Sequence, residues 1–126
     1  MSNRNPKEIA LAIAGLAADK KAEDIKVLEV GKVSFVADYF VICTGNSKVQ
    51  VHVIADHLLE KMKEQNTPVL HKEGYGEGRW VLLDFGAVVV HIFQPEEREF
   101  YALERLWAKA PVVSLPTAVG GQGGFQ

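Results

Sequence analysis

The chain has 126 residues, 14 Lys and Arg against 16 Asp and Glu for a net charge of −2, and a single cysteine. That length supports one domain burying roughly two-thirds of the surface its unfolded chain would expose, enough for a core without metals or disulfides. Scattered basic residues exclude the electrostatic signature of direct nucleic-acid binding, the lone Cys43 excludes an intrachain disulfide, and no stretch approaches the roughly eighteen uninterrupted apolar residues of a membrane span.

The opening "MSNRNPKEIA" lacks a signal-peptide apolar run, and the cysteine usage suits a reducing compartment, so a cytoplasmic protein with no membrane partner is expected. Asn5-Pro6-Lys7-Glu8 opens a predicted helix, with Asn5 as N-cap, Pro6 in the first turn and Glu8 completing a capping box. Its apolar face carries Ile9, Ile13, Leu16 and Ala17, and it should end near Lys20 and Lys21. A strand is expected from about Ile25 to Val30, then a turn at Gly31-Lys32 and a β-branched and aromatic strand within Phe35 to Thr44. Cys43 lies in that strand and reads as a core thiol. After "TGNS", Val51, Ile54, Ala55, Leu58 and Met62 recur at helical spacing, and this second helix should stop before Pro68. A short strand near Val69 to Lys72 and the loop "EGYGEGR" come next.

The stretch "WVLLDFGAVVVHIF", Trp80 to Phe93, reads as a β-hairpin turning at Gly86-Ala87, with glycine at the position that needs a positive φ. Pairing Phe85 with Val88 sets 84 against 89, 82 against 91 and 80 against 93. Alternation then divides the side chains into two sets. Val81, Leu83, Phe85, Val88, Val90 and Ile92 are wholly apolar and read as core. Trp80, Leu82, Asp84, Val89, His91 and Phe93 form a mixed face, suited to meeting another protein or to being covered by a helix or loop of the same chain.

A third helix is predicted from Pro95, with Glu96 and Glu97 near its positive end and Phe100, Leu103, Trp107 and Ala110 as its buried stripe. Arg98, Tyr101 and Arg105 then share another face, so Glu97, Arg98 and Tyr101 should border the hairpin's mixed face as a polar rim. The expected docking residues are Trp80, Asp84, His91, Phe93, Glu97, Arg98 and Tyr101, with Asp84 presenting negative charge to a basic partner. From Pro111 onward, "PVVSLPTAVGGQGGFQ" lacks periodicity and reads as a flexible tail, leaving a domain of residues 1–110 and a tail of 111–126. The order α-β-β-α-β-β-β-α predicts an α/β fold of the α+β type, with a single mixed sheet of about five strands.

Chemistry is poorly represented. "TGNSKVQ" at a helix start resembles a phosphate-cradling loop, and a mixed domain carrying it is reminiscent of nucleotidyltransferases, but there is no GxxxxGK[ST] or GxGxxG. Asp38 and Asp84 stand alone in their strands, so no carboxylate pair faces one metal ion. His52 and His57, five apart, do not share a helix face as metal ligands would, and read as solvated. No catalytic residue, metal or cofactor is expected.

The segments "DYFVICTGNSKVQV", "EGYGEGRWVLLDFGAVVVHIF" and "REFYALERLW" closely resemble the ribosomal silencing factor family, also called Iojap-like proteins, in order and spacing from Asn5 to Ala110. Ala87 departs from the aspartate usual after the turn glycine. The resemblance implies a nucleotidyltransferase-like topology without catalytic carboxylates, in a non-enzymatic regulator. It implies docking on the large ribosomal subunit through ribosomal protein L-fourteen, blocking of small-subunit joining, a role in late large-subunit assembly, and a homodimer when free. The alternative is a nucleotidyltransferase-like enzyme using the "TGNS" loop.

Overall fold

The computed structural model describes residues 4–116. Asn5 starts α1 (Pro6–Asp19) with a complete capping box, its side chain accepting from the Glu8 N–H while the Glu8 carboxylate accepts from the Asn5 N–H. Ser47 caps α2 (Lys48–Glu64), whose predicted stripe Val51, Ile54, Ala55, Leu58 and Met62 is wholly buried. Both helices lie on one face of a six-stranded sheet ordered β3-β4-β5-β2-β1-β6. Its strands are β1 (Glu23–Leu28), β2 (Tyr39–Thr44), β3 (His71–Glu73), β4 (Trp80–Asp84), β5 (Val88–Phe93) and β6 (Val112–Val113).

The centre of the sheet is β2, whose six residues "YFVICT" are all buried, as expected of a strand covered on both faces. It runs parallel to β5 and antiparallel to β1, and the other pairings are antiparallel. The mixed sheet matches the expected fold class. The hairpin register is also as read, with Trp80 opposite Phe93, Leu82 opposite His91 and Asp84 opposite Val89. Gly86 has φ +99°, and the Phe85 N–H donates to the Val88 carbonyl at 2.9 Å.

Alternation decides the two cores. Val41 and Cys43 of β2, Val81 and Leu83 of β4, and Val88, Val90 and Ile92 of β5 face α1 and α2. Phe40, Ile42, Val89 and Phe93 face the other way, joining Leu28, Val30, Leu103 and Ala110 in a second, smaller core. Cys43 is fully buried, and burial pushes its thiol pKa up to about 12, so it is an inert core residue.

Three expectations need correction. The predicted third helix is two short ones, α3 (Pro95–Tyr101) and α4 (Leu103–Leu106), divided at Ala102, which has the left-handed φ of +45°. The break rotates α4 relative to α3, so Leu103 and Ala110 are buried as expected but Phe100 is 78% exposed. The stretch read as tail from Pro111 supplies the sixth strand, because Val112–Val113 pairs with Leu28 and Val27, and Leu115 packs against the larger core. The rest of the expected tail, 117–126, lies outside the described residues. His52 and His57, read as solvated, are half-buried: His52 stacks on Tyr75 at 4.4 Å between ring centroids, and His57 lies 3.5 Å from Asp19.

Candidate docking face

The second face of the sheet is unevenly covered. Over β1 and β2, Leu103, Trp107 and Ala110 close it, and Trp107 meets the Phe40 ring edge-on at 5.1 Å. Over β4 and β5, among the described residues, only α3 approaches, and it has no buried residue of its own. Trp80, Leu82 and Asp84 are therefore left half-buried in a row along β4.

Trp80 is the centre of this region. Its ring lies 4.9 Å from Phe93 below and 4.7 Å from Tyr101 of α3 beside it. Its indole N–H donates to His91 Nδ1 at 3.2 Å. Because an indole nitrogen is a donor only, that bond requires Nδ1 to carry the lone pair and assigns the ring proton to Nε2. Nε2 is buried with no hydrogen-bond partner among the described residues, while the imidazole meets the Phe40 ring edge-on at 4.6 Å. Burial lowers the His91 pKa to about 4, so the ring is neutral near pH 7.

The seven residues expected at a docking surface thus separate into layers. Trp80, Asp84 and Tyr101 reach the surface, and Tyr101 is 46% exposed. His91 and Phe93, expected on the surface, are buried beneath Trp80 and support it from below. Arg98, expected in the polar rim with Glu97 and Tyr101, is turned inward: its side chain donates to Thr44 Oγ1 at 2.8 Å and to both carboxylate oxygens of Glu104 at 2.8 and 3.3 Å. That contact holds the Glu104 carboxyl below its ordinary pKa. Glu97 pairs with Arg79 at 3.2 Å. One Asp84 oxygen accepts from the Gly86 N–H at 2.8 Å, closing the hairpin turn, an Asx-type contact.

Two apolar side chains at this surface are not among the seven. Leu82 belongs to the mixed face by alternation alone, whereas Phe100, edge-on to Tyr101 at 5.0 Å, is exposed because of the Ala102 break, which no glycine or proline announces.

The approach to Trp80 is also built. Gly74 has φ +77°, and a Cβ there would lie 2.1 Å from the Trp80 carbonyl oxygen, so only glycine fits where the loop doubles back. Tyr75 fastens that loop to α2 by its hydroxyl bond to Asp56 at 2.7 Å. Gln94 reaches across to the Gly78 carbonyl at 2.8 Å.

The "TGNS" loop has a different role. Ser47 Oγ accepts from the Gln50 N–H at 3.1 Å, and the Asn46 N–H donates to Gln50 Oε1 at 2.7 Å. A Cβ on Gly45 would come within 2.9 Å of Val51, so that glycine permits strand-to-helix packing. Two amides that a phosphate would need are engaged by the chain's own side chains. No group of three or more His, Cys, Asp or Glu among the described residues could hold a metal ion.

Fold and site together define a small mixed-sheet α/β domain organised around an aromatic, half-open sheet face. A solved structure from Chromobacterium violaceum shares this fold with a TM-score of 0.81 at 31% identity, covering 93% of this chain and 98% of that one. The family model described as "Ribosomal silencing factor during starvation" matches residues 3–122, and the chain belongs to that family. The Bacillus subtilis protein named ribosomal silencing factor RsfS is 47% identical over 111 residues, 88% of this chain and 94% of that one. A mouse protein named "Mitochondrial assembly of ribosomal large subunit protein 1" is 35% identical over 98 residues, 75% of this chain and 43% of its own length.

Proposed function

We propose that this protein represses translation by docking on the large ribosomal subunit through ribosomal protein L-fourteen, so that the small subunit cannot join. The observation that carries the reading is the row Trp80, Leu82 and Asp84 left open on β4, with Tyr101 flanking it. A rigid aromatic backed by buried rings loses little freedom on binding, which is how interface anchors gain their share of affinity. Asp84 borders the anchor with negative charge, while Glu97 is paired with Arg79; an uncompensated carboxylate there suits a basic ribosomal protein better than a phosphate backbone. The mouse relative's name supports a further part in large-subunit assembly, which we place late in that process. The exposed Phe100 and Leu106 supply apolar area for a homodimer when the protein is free in the cytoplasm. The protein acts by occupying a surface, without catalysis.

Co-sedimentation with purified large subunits, with and without excess small subunits, tests this. The wild-type protein should pellet with large subunits and reduce the yield of joined ribosomes. Trp80→Ala should weaken binding by about 2 kcal/mol or more while the fold is retained. A folded Trp80→Ala variant that pellets with unchanged affinity would place the docking surface elsewhere. Rim charge mainly governs encounter, so Asp84→Asn should slow association and flatten its salt dependence, whereas Tyr101→Ala should speed dissociation.

A further inference from the structure

A helix with no buried residue needs some other tether, and α3 has one in Arg98. The Arg98 side chain is only 11% exposed and passes inward from α3 to the end of the sheet. Nη1 donates to Thr44 Oγ1, and Thr44, the last residue of β2, is itself buried. Nε and Nη2 donate to the two oxygens of Glu104, which stands on α4 beyond the break. One guanidinium therefore joins the sheet, α3 and α4. The residue bridged over, Ala102, holds a left-handed backbone that an L-alanine resists, so the kink requires compensation from its surroundings. A two-pronged, charge-assisted contact across the kink is compensation of the right kind, because it fixes angle as well as distance. Tyr101 immediately precedes the kink and lies 4.7 Å from Trp80.

We propose that Arg98 is a positioning residue of the docking face. With Glu104 and Thr44 it fixes the α3–α4 kink that sets Tyr101 against Trp80, and it makes no contact with the partner itself. This rests on the docking reading above. Its rival is direct contact between Arg98 and the partner, in which Glu104 has no part. Lysine does not substitute for Arg98, since a single ammonium lacks the planar fork that reaches two residues at once.

The test is a double-mutant cycle of Arg98→Met and Glu104→Gln, with Thr44→Val as a milder third variant, in a Trp107→Phe background that leaves Trp80 as the only tryptophan. Three quantities are read: affinity for purified large subunits, Trp80 fluorescence, and amide exchange in α3 and α2. Each of the two main substitutions should lower the docking-competent fraction and so weaken affinity about tenfold, and the double variant should lose no more than either alone. Trp80 emission should shift as Tyr101 leaves it, and α3 amides should exchange faster while α2 amides keep their protection. Thr44→Val should move all three in the same direction by less. The proposal is overturned if Glu104→Gln binds like wild type while Arg98→Met does not, if the two losses add, or if emission and exchange stay unchanged. If the wild-type protein does not bind large subunits, the docking reading falls, and fluorescence and exchange still decide whether Arg98 fixes the kink.

Discussion

Acidification from neutral pH towards about 4 should weaken this protein chiefly through His91, the lowered Glu104 carboxyl contributing only at the acid end. The His91 side chain is 4% exposed, and its Nδ1 accepts the Trp80 indole proton, so a protonated ring would set two donors against each other inside an apolar layer. In the folded protein its pKa is lowered from 6.5 to about 4. The unfolded chain therefore binds this proton more readily than the folded one. The resulting stability is fully present above pH 6.5, declines as pH falls towards about 4, and below that His91 has no more to lose. That interval corresponds to about 3 kcal/mol, a large share of the roughly 5–15 kcal/mol that holds a typical domain folded. Urea unfolding followed by circular dichroism, at steps from about pH 7.5 to 4, would measure it. His91→Asn is the reference, because its Oδ1 can still accept from the indole while nothing at the position titrates. Other ionisable groups cancel in the difference between the two proteins. Wild type should lose about 3 kcal/mol more than His91→Asn across the window. Parallel curves would show that the imidazole is protonated in the fold without penalty, and the burial argument would fail.

Gly74→Ala should lower stability by about 2 kcal/mol or more and displace Trp80, since the added carbon has nowhere to go but into the Trp80 carbonyl; thermal melting and large-subunit pelleting would report both effects. Ala102→Gly should raise stability by about 0.5 kcal/mol, the relief of left-handed strain exceeding the added freedom of the unfolded chain, as measured by urea unfolding. Ser47→Ala should cost about 1 kcal/mol through loss of the α2 cap and leave docking of the folded fraction unchanged, as pelleting under native conditions would show.

The features legible in the sequence are those that local chemistry decides. A two-residue turn with glycine first and strict alternation on either side is enough to fix the hairpin register and the membership of its two faces. The capping box of α1 and the stripe of α2 are equally local. Alternation says which residues share a face, though not what lies over it, so the depth of His91 and Phe93 depends on how Trp80 lies across them and where Tyr101 comes to rest beside it. The left-handed Ala102 is not legible, because the residue type gives no warning of it. Extending one helical period across it puts Phe100 inside and Arg98 outside, the reverse of their positions. Val112–Val113 is too short to show a period, and its pairing with β1 is a tertiary contact.

The parallel seam between β2 and β5 has a consequence for how the chain assembles. On one side of it β3, β4 and β5 succeed one another as an antiparallel meander, and on the other β1 and β2 pair as neighbours in the sequence. The meander and the β1–β2 pair each close over short stretches of chain, whereas zipping Tyr39–Thr44 to Val88–Phe93 brings together segments separated by all of α2 and the meander's first two strands, and adding Val112–Val113 beside β1 spans more of the chain still. Contacts of that range set the pace of folding, because the loop must be closed before any of them forms. The aromatic cradle of Trp80 and Phe93 belongs to one half alone, so a nascent chain emerging from the ribosome can pair those two strands before the sheet is joined.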